Sequence, residues 1–134
     1  MFTWVLAGTL AVAAPSPNPE QKPVEPPAGV WRVQLMVWDG LTMQLKGGTV
    51  RIDGRSFIFA MMGGEVTGRA HFFVFEGKPR VDIESADGVV RGIWRLKGNC
   101  LSICTAAEGD ARPTVFESPS GSRQTLWTLV RSKK

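Results

Sequence analysis

The chain has no tyrosine, one histidine and two cysteines among 134 residues. These shortages exclude most catalytic constellations. A lone His71 cannot supply the His, Cys and carboxylate sets that zinc and related metals need. No Gly-x-Ser-x-Gly, no His-Glu-x-x-His and no glycine-rich loop leading into a helix is present. The sequence therefore predicts no catalytic residue, no metal and no cofactor, and a protein that is not an enzyme. Met36, Met43, Met61 and Met62 form no Met-x-x-Met cluster that would hold a soft cation, and read as fillers of a core.

Clustered charge is also missing. Lys and Arg outnumber Asp and Glu by 16 to 12, but the arginines stand singly along the chain. A nucleic-acid binder concentrates its cations on one face, so no nucleic-acid partner is expected. No apolar run approaches the roughly 20 residues of a membrane-spanning helix. The longest is "FTWVLAGTLAVAA", residues 2–14, which ends in small residues with Ala11 and Ala13 in a small-x-small pattern. This reads as a signal peptide over 1–14 and predicts an extracytoplasmic (periplasmic or secreted) protein, held to a membrane only if that segment stays uncleaved. Residues 15–28 carry Pro15, Pro17, Pro19, Pro23, Pro26 and Pro27. Proline fixes φ and lacks the N–H, so this stretch reads as an extended tether, with the folded domain expected over 29–134.

From Val30 onward a turn signal recurs about every ten residues, among them Asp39-Gly40, Asp53-Gly54, Glu76-Gly77, Gly98-Asn99 and Ser120-Gly121. The runs between are rich in Val, Ile, Phe, Trp and Thr, and no long segment has helical period. This predicts an all-β fold, a small antiparallel barrel of about 8–10 short strands. Trp31, Val33, Leu35 and Val37 are expected on one face of the first strand. Gly98-Asn99 is a hairpin turn that pairs Lys97 with Cys100, Trp94 with Ile103 and Ile93 with Cys104. Leu96, Leu101, Trp94 and Ile103 then face the core, and both cysteines face the other way. Four residues along a strand span about 13 Å, whereas a disulfide needs Cα atoms within about 7 Å. No intrachain disulfide and no shared metal is expected at Cys100 and Cys104. Unreactive, shielded thiols or pairing with another chain remain.

The order "KPRVDI…GIWRLKGNCLSIC…RPTVF…LVR" resembles an uncharacterised secreted-domain family abundant in planctomycete-type bacteria. The matching positions are Pro79, Asp82, Gly92, Ile93, Gly98, Leu101, Cys104, Arg112, Pro113 and Arg131. Trp94 stands where that pattern has Tyr, and Asn99 where it has Asp. The resemblance spans Gly29 to Arg131 and implies an extracytoplasmic, lipocalin-like β-barrel. "GVWRV" adds to it, because Gly29-x-Trp31 resembles the start of lipocalin-type barrels. That likeness implies that Arg131, near the end of the last strand, packs over Trp31 and closes the barrel.

Two further groups are candidates for sites. Asp82 and Arg112 are the best polar pair, presenting either a ligand contact at the barrel mouth or a fork-shaped salt bridge that fixes the loop before the last strand. Trp38, Phe57, Phe59, Trp94, Phe116 and Trp127 could line a cavity for an apolar ligand, although a small barrel is just wide enough to be filled by its side chains. The expectation is a monomeric, non-enzymatic module that contacts a protein or envelope polymer. The alternative is a lipocalin-like carrier of a small apolar ligand.

Overall fold

The Gly98-Asn99 turn sets the register of the C-terminal half as expected, with Lys97 opposite Cys100, Trp94 opposite Ile103 and Ile93 opposite Cys104. The structure, a computed structural model that describes residues 21–43, 47–61 and 63–132, contains strands and turns and no helix among them. The strands are β1 (Gln21–Pro23), β2 (Gly29–Trp38), β3 (Leu41–Met43), β4 (Thr49–Asp53), β5 (Ser56–Met61), β6 (Gly64–Phe75), β7 (Lys78–Ser85), β8 (Gly88–Lys97), β9 (Cys100–Thr105) and β10 (Thr125–Arg131). They pair antiparallel in the order β6-β5-β4-β2-β10-β9-β8-β7, and β7 returns to β6. The ring is an eight-stranded closed barrel of small, lipocalin-like form. Closure leaves few unpaired edges to attract another chain. The expected signal segment and the first residues of the tether lie outside the described residues.

Closing so small a ring requires bent strands. β6 pairs with β5 through Arg69 and with β7 from Gly68 onward. At the crossover a Cβ on Gly68 would collide with the Glu84 carbonyl, so the corner depends on glycine. Inside, Trp31, Val33, Val50, Ile52, Phe57, Phe72, Val81, Leu101, Ile103 and Leu129 form one continuous core.

Three expectations are corrected. Folding begins before Gly29: β1 pairs Gln21 with Phe75 and Pro23 with Phe73. β7 already occupies the other edge of β6 there, so β1 takes the edge that β5 leaves after Arg69. Pro23 is tolerated because it ends a short edge strand. In β2, Thr128 of β10 faces Leu35 while Leu129 faces Val33, which leaves Gln34 unpaired in a bulge. The bulge reverses the alternation. Met36 packs against the core in place of Leu35, which is exposed together with Trp38. Leu96, expected inside, is exposed, because β8 runs on past its last partner in β7.

Candidate functional site

One end of the barrel is latched. Trp31 is fully buried, and its indole N–H donates to the Pro27 carbonyl at 3.0 Å. The Arg131 guanidinium lies 4.3 Å from the Trp31 ring centre and donates to the Ala28 carbonyl at 3.0 Å. The structure thus brings Trp31 and Arg131 together. Gly29 has φ of 126°, and a Cβ there would stand 3.0 Å from the Arg131 guanidinium. The positive φ is what calls for glycine at the head of the Gly-x-Trp motif.

Between β9 and β10 the chain from Ala106 to Gln124 forms no strand and straps the outer wall. Arg112 anchors it. Its Nη1 donates to the carbonyls of Val81 at 3.2 Å and Gly92 at 2.9 Å, across the seam of β7 and β8. The same nitrogen stands 2.8 Å from Asp82 Oδ1. Nη1 carries two hydrogens, both already aimed at the carbonyls, so Asp82 Oδ1 is a charge contact left without a hydrogen bond. The expected pair is therefore assembled, but not as a two-pronged fork. It fixes the strap, away from the barrel mouth. Farther along, Asp39 accepts from the Arg123 backbone N–H at 2.8 Å, and Ser118 Oγ donates to the Gln124 carbonyl at 2.5 Å.

The strap also accounts for the cysteines. Both thiols are free. Cys104 faces outward from β9 yet is buried, and its Sγ–H donates to the Glu117 carbonyl of the strap at 3.3 Å. Burial pushes the Cys104 thiol above its ordinary value. His71 faces outward as well, opposite Asp82 and stacked on Phe73 at 5.0 Å.

The other end of the barrel is a mouth. Phe57, Phe59, Ile83, Val90, Met36 and Trp127 line an apolar cavity of about 220 Å³ there. Phe59 and Trp127 meet edge to face at 4.8 Å. The rim carries large apolar side chains in water: Trp38 is 44% exposed, Leu41 62% and Val66 55%. Of the six aromatics expected around a cavity, Phe57, Phe59 and Trp127 line this one. Trp38 is on the rim. Trp94 packs edge to face on Phe72 at 5.4 Å, deeper in the wall. Phe116 is not in the barrel at all; it belongs to the strap, with the Arg95 guanidinium 4.5 Å over its ring. Among the described residues no three His, Cys, Asp or Glu side chains are grouped to hold a metal ion.

Compared with known proteins, the chain matches no family model, no curated protein and no solved structure.

Proposed function

We propose that the protein is a non-enzymatic binding module of the cell envelope that works through the mouth of its barrel. The observation that carries this reading is the apolar cavity behind Phe59 and Trp127, with exposed Val66 in its lining and exposed Trp38 and Leu41 paired where β2 turns into β3. Large apolar side chains gathered on one rim mark interaction sites more often than scattered ones do. The cavity's volume of about 220 Å³ is below the roughly 300–1,000 Å³ of pockets that enclose a whole small ligand. It suits one apolar group of a larger partner, an acyl end or an aromatic side chain. The envelope address rests on residues 2–14 and on the resemblance to planctomycete-type secreted domains.

The test is titration of the full chain with the neutral fluorophore N-phenyl-1-naphthylamine. Wild type is expected to bind it saturably, and Val66→Arg to weaken binding at least tenfold with an unchanged urea midpoint. Equal binding by the two proteins rejects the mouth as the working surface. A retained extra mass of a few hundred daltons in native mass spectrometry would instead favour the carrier.

A further inference from the structure

A larger cavity, about 390 Å³, lies on the opposite half of the molecule, where β7 and β8 part beneath the strap. Its origin is readable from one residue. β7 begins at Lys78 and β8 continues to Lys97, yet their ladder ends at Arg80 opposite Ile93. The next residue of β7 is Pro79, which has no N–H to offer β8. From Trp94 onward β8 is paired with β9 alone, and the strap roofs the gap with Pro113, Thr114 and Phe116.

The wall of this cavity has two chemistries. Ile93, Trp94 and Phe116 make an apolar face, while Lys78, Arg80 and Arg112 bring three cations, and among the described residues no carboxylate lines it. Among the described residues, neither Lys78 nor Arg80 is in a salt bridge. Arg80 instead lies over the Phe75 ring at 4.7 Å. Arg112 uses only Nη1 for its carbonyl and Asp82 contacts. Among the described residues, Trp94 Nε1 of the cavity wall is a buried donor without a hydrogen-bond partner, while the Asp82 carboxylate already faces Arg112 from outside that wall.

We propose that this split is a binding site for a small organic anion with an apolar body, an aryl or short acyl carboxylate. The carboxylate meets Arg80, Lys78 and Arg112, and the body lies against Ile93, Trp94 and Phe116. The volume falls within the range of pockets that take whole small ligands, unlike the mouth. Charge-assisted bonds to guanidinium supply orientation.

The probes are 2-naphthoate and its neutral counterpart 2-naphthamide, titrated into the full chain by calorimetry. Saturable binding of naphthoate at or below about 1 mM is expected, with naphthamide at least tenfold weaker. Arg80→Gln, which leaves the strap's Arg112 anchor intact, should weaken naphthoate at least fivefold. The mouth variant Val66→Arg should leave it unchanged. Equal affinity for the two probes, no saturation, or no effect of Arg80→Gln overturns the site. Loss of naphthoate binding in Val66→Arg would place the probe in the mouth and overturn it as well, while leaving the mouth reading standing.

Discussion

The two ends of the barrel use the same kind of residue to opposite ends. At the latched end, Trp31 is covered by Arg131, its N–H is taken by Pro27, and the chain before Gly29 packs on. At the mouth, Trp38 and Leu41 stand in water and Trp127 borders an apolar cavity. An aromatic whose polar atom is satisfied and whose faces are covered stabilises the fold. An aromatic left on a rim stabilises little and is available to a partner.

The strongest way to break this contrast is to truncate one tryptophan at each end. Trp31→Ala should cost about 3–5 kcal/mol in urea unfolding, because it empties the core and strands the Arg131 guanidinium. Trp38→Ala should change stability by no more than about 0.5 kcal/mol, as for other exposed sites. Arg131→Met should fall between, at about 1–2 kcal/mol, from the cation–π contact and one hydrogen bond. Equal losses for the two tryptophans would show that the mouth is as structural as the latch.

The strap sharpens the same contrast with a smaller effect. Arg112 and Asp82 form one ion contact, but they are not equivalent partners. Arg112→Ala removes two bonds to carbonyls across the β7–β8 seam and should cost about 2–3 kcal/mol. Asp82→Asn removes only a charge contact from a carboxylate that is 31% exposed, which should cost about 1 kcal/mol or less. A ratio of unity between them would mean that the ion pair, and not the carbonyl bonds, fixes the strap.

Some of this was legible in the sequence, for identifiable reasons. The β8–β9 pairing followed from Gly98-Asn99, because a two-residue turn leaves one register and strand period does the rest. The latch was legible through the likeness of Gly29-x-Trp31 to the start of lipocalin-type barrels, which implies an arginine near the end of the last strand over that tryptophan. The bulge at Gln34 was not, since no glycine or proline marks it and the alternation of Trp31, Val33, Leu35 and Val37 reads cleanly without it. The strap was hidden for a related reason. Gly109-Asp110 and Ser120-Gly121 look like strand boundaries, so Phe116 between them reads as a barrel residue. β1 was masked by its prolines, which disfavour a sheet interior but are allowed on an edge. The cavity at Pro79 depends on β7 and β8 parting after Arg80 and Ile93 and on the strap roofing the gap, and the strap was itself hidden.

Smaller than the losses at Trp31 and Arg112 is a pH dependence set by one buried group. In the folded protein burial raises the Cys104 thiol above its ordinary value; in the unfolded chain it titrates near about 8.5. Between those values the unfolded chain has released a proton that the folded chain keeps, so stability falls as pH rises. The contribution is complete below about 8.5 and is lost as pH climbs through the folded value, with a slope of at most about 1.4 kcal/mol per pH unit. The absence of tyrosine keeps this window free of phenol titration, which would otherwise begin to overlap near about 10. Urea midpoints at pH 7.5, 8.5 and 9.5 should therefore decline in wild type and flatten in Cys104→Ala. The strap controls the same readout: releasing it with Arg112→Ala should expose Cys104 and flatten the profile without touching the thiol. If the slope survives in Cys104→Ala, another group is responsible and the strap does not seal this part of the wall.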